Sequence, residues 1–508
     1  MKNARAMGVI TSYLFMGVNT VVTFVLTPLM IRLFGVDLYG DHQFLCAILC
    51  VLELFDFGFQ ELTTRYVSVY DLEGKDKERE NFLAIALLFA CGVSVLILVL
   101  GGFLYWGLPR AFPVRFASAQ MQLVLPAALF MAGGFACRIF LRFFLGVVYG
   151  KNRYAWGNAV QIFQVVLRLV LILLLLSRRP SILLISATET AAIAVAAVLL
   201  AILALHKLDV KIKFHHADPI IVRAIWKFGL AAVMTLCAAF LTDRVSQIIL
   251  GFLVSGAFVT VYSVSHTIFS NFTLLGTNVS AVYLTKASTL MASDPTPRQM
   301  EDYWIAPGRL QLLICGTLFC GFLVAGNDFL TIWLGEPDPW VWITCIVMTA
   351  SNVLTVLLGS GTNLVMAHMK KLHVVSWLAM AGAVVNVVFL YLFVKRMGYA
   401  GVLVAAVLSN FLARGVAIPA YIRRLLNINV VRVYREMFRG IFPALGLAAA
   451  AACFLGKNLP VGVLGFLGRG ALFLILEIAA LWKFGITKEE RAAASSLLRK
   501  LTSKFRKS

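Results

Sequence analysis

Residues 82–106 read FLAIALLFACGVSVLILVLGGFLYW, a run of 25 residues without one charged side chain. About 20 consecutive apolar residues in a helix span the hydrocarbon core of a bilayer, because a helix rises about 1.5 Å per residue. The run therefore predicts a transmembrane helix. Similar runs recur along the chain, so they decide the fold class.

The chain is predicted to be an all-α polytopic membrane protein with about 14 transmembrane helices. Glycine and proline inside the spans fit this prediction, because neighbouring helices satisfy the backbone groups that they free. The predicted spans are 7–30, 43–64, 82–106, 121–147, 156–177, 182–205, 226–250, 257–284, 306–326, 340–367, 372–394, 399–421, 437–456 and 461–482.

The composition and the distribution of charge agree with this topology. Of the 508 residues, 61% are hydrophobic and 14% are charged, whereas about 25% are charged in soluble domains. The net charge of +21 would suggest a nucleic-acid partner in a soluble protein. With the N-terminus inside, however, the inner segments carry about 31 Lys and Arg residues and the outer loops about 9. This asymmetry predicts cytoplasmic N- and C-termini and no nucleic-acid partner.

The sequence carries no motif of a known catalytic or metal site. The nine cysteines lie almost entirely in apolar runs and form no CxxC pair. HExxH, GxSxG and Walker motifs are missing, and the kinase-like triplet Asp56-Phe57-Gly58 lacks the glycine-rich and HRD loops that a kinase needs. The outer loops are too short to hold a catalytic domain. The chain is therefore predicted to be a non-enzyme without a cofactor.

The stretch at 53–65, ELFDFGFQELTTR, places acidic side chains in an apolar region. On a continuous α-helix, its polar residues share one face: Glu53, Asp56, Gln60 and Thr64. Glu61 and Arg65, at i and i+4, can form an ion pair in the favourable orientation. Two interpretations stay open, namely a polar stripe on a transport pathway and a buried network that fixes helix packing.

The stretch TPLMIRLFGVDLYGDHQF at 27–44, followed by LELFDFGF, resembles the N-terminal signature of the oligosaccharide-lipid flippase (Wzx-type) family of the multidrug/oligosaccharidyl-lipid/polysaccharide exporter superfamily. The stretch FLTDRVSQIILGFLVSGAFVTVYSVS at 240–265 is similar to the family's passage at the start of its second lobe. The residues that match the family motif are Arg32, Gly35, Tyr39, Gly40, Asp56 and Gly58.

The resemblance implies two six-helix lobes around a central cavity, followed by two C-terminal helices. The implied ranges are 1–206 for the N-lobe, 207–425 for the C-lobe, 426–485 for the last two spans and 486–508 for a basic cytoplasmic tail. The implied location is the cytoplasmic (inner) membrane of a bacterium. The implied cargo is a polyprenyl-pyrophosphate-linked oligosaccharide, with a polysaccharide polymerase and glycosyltransferases as pathway partners.

Lipid II flippases share the 14-helix plan, but their paired arginines in the first span have no counterpart here, because VNTVVTFVLTPLM is uncharged. Two other classes stay open: a multidrug or cation-coupled exporter of the same superfamily, and a membrane enzyme. A membrane enzyme would need catalytic groups on a sizeable outer loop. A cavity rich in arginine favours an anionic cargo over a cationic drug.

Ionisable residues inside a bilayer cost at least about 2.5–3.5 kcal/mol each, so they are candidates for function. A guanidinium offers a planar fork of donors to phosphate oxygens and stays charged when it is desolvated. Cargo binding, interhelical ion pairing and snorkelling to the headgroups are the three interpretations of each arginine. The candidate cargo-binding residues are Arg65, Arg138, Arg142, Arg168, Arg244 and Arg414.

Acidic residues and one histidine are candidates for proton or sodium coupling and for gating: Glu53, Asp56, Glu61, Asp243 and His266. Glu189 and Glu477 also lie inside predicted spans and offer carboxylates as partners. A sodium site is a separate hypothesis, with oxygens from Asp243, Asn386 and Asn410.

Overall fold

A computed structural model describes residues 2–176, 181–216, 218–367 and 372–485. The tail predicted at 486–508 lies outside the described residues. A 3-10 helix covers Cys50–Asp56, and π-helical segments cover Leu203–Lys207, Phe411–Ala417 and Leu481–Gly485. The α-helices are α1 (Lys2–Leu49), α2 (Phe59–Glu73), α3 (Asp76–Ala111), α4 (Pro113–Phe116), α5 (Ala119–Val124), α6 (Ala127–Gly150), α7 (Tyr154–Leu176), α8 (Ile182–Ile202), α9 (Pro219–Asp243), α10 (Val245–Leu253), α11 (Gly256–Ala292), α12 (Pro297–Leu334), α13 (Pro339–Ala367), α14 (Leu372–Met397), α15 (Ala400–Asn410), α16 (Ile418–Leu426), α17 (Val430–Phe438), α18 (Ile441–Leu455) and α19 (Val463–Ala480).

The all-helical membrane fold is confirmed. Twelve helical segments of the described chain are long and apolar enough to cross a membrane. The first of them, Ile10–Glu73, contains two predicted spans and is kinked at Gly35, where φ is 76°. The helix α11 covers the predicted span at 257–284 in addition. About 14 spans are therefore consistent with the structure.

The chain forms two compact units, Met1–Ser263 and Val264–Ser508. The division falls inside α11. The helices α9 and α10 belong to the first unit, although the sequence assigns them to the second lobe. The lobe ranges derived from the resemblance stay a prediction.

The second predicted span is not one continuous α-helix, so the prediction of an unbroken helix over 43–64 is wrong. A 3-10 turn ends at Asp56, and the next two residues, Phe57 (φ 51°) and Gly58 (φ 64°), are left-handed. Two successive residues with positive φ cannot continue a right-handed helix. The chain therefore changes direction here and restarts as α2.

Gly58 makes this break possible, because glycine adopts positive φ without steric cost. A Cβ at Gly58 would also lie 3.1 Å from Ala232 Cβ and 3.2 Å from Phe228 Cε1 of α9. The break therefore requires both the backbone freedom and the small size of this residue.

We expect Gly58→Ala to lower the free energy of unfolding by about 1–2 kcal/mol, through the left-handed backbone and the contact with α9. Thermal unfolding in detergent measures this. Gly102→Ala in α3 is the matched control, since its Cβ would meet nothing within 4 Å. That control should leave stability unchanged or raise it by up to about 1 kcal/mol. Equal effects of the two substitutions would contradict the explanation.

The helices α2 and α6 pack closely through a small-xxx-small pattern. Gly146 and Gly150 of α6 are four residues apart, and a Cβ at either would overlap α2. Thr64 Oγ1 donates to the carbonyl of Gly146 at 3.3 Å, and Ser68 Oγ donates to that of Gly150 at 3.1 Å. Small residues allow backbones to approach and side-chain hydroxyls join them, as in membrane helix pairs generally. This packing sets the register of α6 against the segment before α2.

In the second unit, α12 packs against α13, α17, α18 and α19. Trp304 of α12 is fully buried, and its indole N–H donates to the carbonyl of Leu357 at 2.9 Å. Val433 and Met437 of α17 are fully buried in the same hydrophobic cluster. The short helix α17 is therefore anchored to the unit by its apolar face.

Candidate functional site

Two arginines of α6 form ion pairs with two acidic residues of the 3-10 helix. Arg138 Nη1 donates to Glu53 Oε1, and Arg142 Nη1 donates to Asp56 Oδ2. The spacing explains the match, because residues at i and i+4 share a face of an α-helix and residues at i and i+3 eclipse in a 3-10 helix. The 3-10 helix that precedes the break at Gly58 thus aligns both carboxylates with both guanidinium groups.

These pairs line a small, partly open cleft. The Asp56 side chain is only 6% exposed, whereas those of Glu53, Arg138 and Arg142 are 30–34% exposed. The cleft is lined by Leu52, Glu53, Asp56, Phe135, Arg138, Ile139 and Arg142.

Both guanidinium groups keep donors available in the cleft. Each has five N–H donors, and among the described residues only Nη1 of each is bonded to a carboxylate. The Arg138 guanidinium also lies 5.3 Å from the centre of the Phe135 ring. Asp56 Oδ1 is buried and has no hydrogen-bond partner within the described part of the chain. A buried carboxylate oxygen without a hydrogen-bond donor is unusual. We therefore expect Asp56 to have a role beyond helix packing.

A third arginine adds positive charge beside the cleft. Arg244, between α9 and α10, interacts electrostatically with Glu53 and Cys50. Asp243 acts on Arg244 and Glu61 acts on Asp56 in the same way, so the local set has three guanidinium groups and four carboxylates. An anion that enters the cleft would therefore compete with carboxylates for the guanidinium donors.

Other predicted site residues of the first unit do not line the cleft. Glu61 and Arg65 both lie on α2 and are both exposed, and they form no ion pair with each other within 4 Å, so the pair that their spacing allows is not formed. Arg168 of α7 lies 3.5 Å from Glu189 of α8, an interhelical ion pair. The buried Nε of Arg168 has no hydrogen-bond partner among the residues that the structure describes.

In the second unit, polar residues gather around the π-helical segment Phe411–Ala417. Arg414 donates to Thr355 Oγ1 at 2.6 Å, and Ser409 donates to Asn386 Oδ1 at 2.9 Å. Asn410 Nδ2 lies 3.4 Å from Ser351 Oγ. The extra residue in a π-helical turn often accompanies function. Arg414 therefore stays a candidate for cargo binding.

The coupling candidates outside the cleft have different environments. Asp243 is exposed at the end of α9, and the half-buried His266 packs its ring against Phe269, 4.8 Å away. Asp243 belongs to the first unit, whereas Asn386 and Asn410 belong to the second. Within the described ranges, no group of three or more His, Cys, Asp or Glu residues is placed to hold a metal ion. The sodium site stays a prediction.

The motif residues have structural roles as well. Gly35 forms the kink in α1, and Tyr39 is half-buried in the same helix. Gly40 is buried where a Cβ would overlap the carbonyl of Gly256, and Arg32 is exposed.

Sequence reasoning missed a buried ion pair. Asp41, 2% exposed at its side chain, pairs with Arg115 of α4, whose Nε also donates to the carbonyl of Gly251 at 2.8 Å. The predicted spans placed both residues in loops, where charge is ordinary. His42 was missed for the same reason; it is buried, and its Nε2 lies 3.4 Å from Ser186 Oγ of α8. The sequence signal was the polar triplet Asp41-His42-Gln43 between two apolar runs.

Solved structures with a similar fold are membrane transporters. One is described as "Lipid II flippase MurJ, inward closed conformation", with a TM-score of 0.70, 14% sequence identity, and coverage of 94% of this chain and 98% of that chain. Another is an inward-facing multidrug resistance MATE family transporter of the MOP superfamily, with a TM-score of 0.61, 15% identity, and coverage of 80% and 94%. A MATE protein in complex with MaD3S matches with a TM-score of 0.59, 14% identity, and coverage of 84% and 96%.

The fold thus defines a multi-pass helical membrane protein that resembles these transporters in architecture. A comparison with curated proteins finds no match. The chain belongs to the polysaccharide biosynthesis protein family, whose model matches residues 6–288, more than half of the chain. The resemblance noted in the N-terminal motif is confirmed by this match.

Proposed function

We propose that this protein flips a polyprenyl-pyrophosphate-linked oligosaccharide across the bacterial inner membrane, from the cytoplasmic to the outer leaflet. The observation that carries the proposal is the cleft in which Arg138 and Arg142 lie side by side within a membrane span. Both termini are cytoplasmic in this proposal. A polymerase and glycosyltransferases of the same pathway would use the product and supply the substrate.

The chemistry of the cleft suits a pyrophosphate. Two guanidinium groups four residues apart on one helix, about 6 Å along the axis, present donors to two phosphoryl groups. Without cargo, Glu53 and Asp56 neutralise these cations, which lowers the cost of keeping them in the membrane. An arriving pyrophosphate would compete with the carboxylates for the guanidinium donors. Alternating access then needs no covalent step, and the polyprenyl tail stays in lipid.

Asp56 is the proposed coupling residue. Its Oδ1 is buried without a partner in the described chain. If the cargo draws Arg142 away, the carboxylate is left in a low-dielectric site that favours protonation or a bound cation. Proton or sodium coupling belongs to the same proposal. Dissipating one gradient at a time in the assay below distinguishes the two ions.

The test uses the purified full chain in proteoliposomes that contain a fluorescent polyprenyl-pyrophosphate-linked oligosaccharide. The fraction of label accessible to an impermeant quencher is followed with time, and empty liposomes give the background rate. We expect the protein to raise the rate at least about tenfold, and unlabelled lipid-linked oligosaccharide to compete.

Parallel assays separate the alternatives. Lipid II replaces the oligosaccharide lipid in one arm, and efflux of a cationic dye is followed in another. Transport of lipid II without transport of the oligosaccharide lipid would identify lipid II as the cargo. Transport of the dye alone would overturn the proposal in favour of a multidrug exporter.

A further inference from the structure

We propose that α16 and α17 form a binding surface for anionic phospholipid headgroups of the inner leaflet. This surface lies in the second unit and is independent of the cleft and of the cargo. It consists of four exposed arginines, Arg423, Arg424, Arg435 and Arg439, and is called the arginine platform below.

The two helices are strongly amphipathic and lie between two predicted spans. In α17, the buried residues Val430, Val433 and Met437 face the hydrophobic cluster around Trp304. Val431 and Arg435, at i and i+4, share the opposite face, and Val431 is 70% exposed. A short helix with apolar and basic residues outward, at the end of a span, is placed at the headgroup level.

The helix α17 is anchored to the second unit by hydrogen bonds and an ion pair. The buried Arg309 of α12 donates from Nη1 to the carbonyls of Glu436 (3.0 Å) and Arg439 (3.1 Å) at the end of α17. Its Nη2 donates to the carbonyl of Gly485 at 2.8 Å. Arg432 is neutralised by Glu301 of α12 at 2.5 Å. Arg309 thus anchors the end of α17, and Arg432 anchors its start.

The remaining arginines are not neutralised in this way. Among the described residues, Arg423, Arg424 and Arg435 have no carboxylate within 4 Å. Arg439 lies 3.6 Å from Glu436, an exposed pair of little energetic value. Residues 418–439 contain five arginines and a single acidic residue.

The occupant follows from charge and position. Basic residues just cytoplasmic of a membrane span attract anionic headgroups, and the distribution of Lys and Arg places this segment on the cytoplasmic side. Each guanidinium can donate two hydrogen bonds to one phosphate. Val431 lies four residues before Arg435 and Phe442 three residues after Arg439, and their exposed apolar side chains suit the glycerol and upper acyl region.

The experiment compares the full chain in nanodiscs of phosphatidylcholine with and without phosphatidylglycerol. Native mass spectrometry counts the lipids that remain bound, and thermal unfolding reports the stabilisation that they give. Arg423, Arg424, Arg435 and Arg439 are replaced together by Gln. The matched control replaces four exposed basic residues of the first unit by Gln, Lys77, Lys211, Lys213 and Arg223. The tail at 486–508 is kept in every variant, so its charge is common to all.

We expect the ratio of retained phosphatidylglycerol to phosphatidylcholine to fall at least about tenfold in the platform variant and less than about twofold in the control. The rise in melting temperature with phosphatidylglycerol should disappear only in the platform variant. Equal losses in both variants would overturn the proposal, because net charge alone would then explain the preference. Loss of oligosaccharide-lipid flipping with unchanged phosphatidylglycerol retention would also overturn it, since the platform would then serve the cargo.

Discussion

Replacing the four charged residues of the cleft together, Glu53→Gln, Asp56→Asn, Arg138→Gln and Arg142→Gln, is expected to reduce flipping at least about 100-fold. The substitution removes two cations and two anions, so the net charge and the neutral resting state are preserved. Charge-assisted hydrogen bonds contribute about 1.5–3 kcal/mol each. Two guanidinium contacts to a pyrophosphate therefore correspond to a factor of 100 or more. The initial rate in the proteoliposome assay measures the loss.

Two controls separate cargo binding from folding. The first replaces Arg110 and Arg153, both exposed and outside the cleft, by Gln, and it should transport at the wild-type rate. The second replaces only Glu53 and Asp56 by Gln and Asn, which leaves both guanidinium groups for the cargo. That variant should keep cargo binding and lose the response to an ion gradient. If the variant with all four substitutions folds and flips the cargo at the wild-type rate, Arg138 and Arg142 do not bind the cargo.

Replacing Arg142 alone by Gln is expected to lower the free energy of unfolding by about 3–5 kcal/mol, since it leaves a buried carboxylate without its cation. The Asp56 side chain is 6% exposed and already has one oxygen without a partner. Adding Asp56→Asn to Arg142→Gln should recover most of the lost free energy of unfolding, because a neutral amide has a lower desolvation cost than a carboxylate. Thermal or denaturant unfolding in detergent gives the coupling energy from the double-mutant cycle.

Breaking the neighbouring ion pair, Arg138–Glu53, is expected to cost less stability. Glu53 is 31% exposed, so Arg138→Gln leaves a carboxylate that water can reach. We expect it to cost no more than about 1 kcal/mol. Similar costs at both positions would show that exposure does not govern the energetics of this cleft.

Much of the architecture was readable from the sequence. Long uncharged runs such as 82–106 can hide their backbone polarity in a bilayer only as helices, so composition alone determines the fold class. The arginines of α6 were also identifiable, since a charge inside a span is costly and is kept for a reason. The break at Phe57-Gly58 was not recognised, because a stretch of apolar residues gives the same signal whether its helix is continuous or interrupted.

The partners of each charge were beyond sequence reasoning. Glu61 and Arg65 satisfy the i, i+4 rule yet stay apart, while Glu53 and Arg138 are 85 positions apart and meet. Asp41 and Arg115 were assigned to loops and proved to be a buried pair. Local spacing predicts contacts only within one helix, whereas the register between helices depends on packing at residues such as Gly146 and Gly150.

The sequence by itself determined a multi-span helical membrane protein, with basic residues concentrated on one predicted side of the membrane and a motif that resembles the exporter superfamily. These properties follow from hydrophobicity and charge, which act residue by residue. Only the tertiary structure decided that two arginines of α6 face two acids of a 3-10 turn across one cleft. That arrangement depends on a left-handed break and on close helix packing, and both arise from contacts between distant parts of the chain.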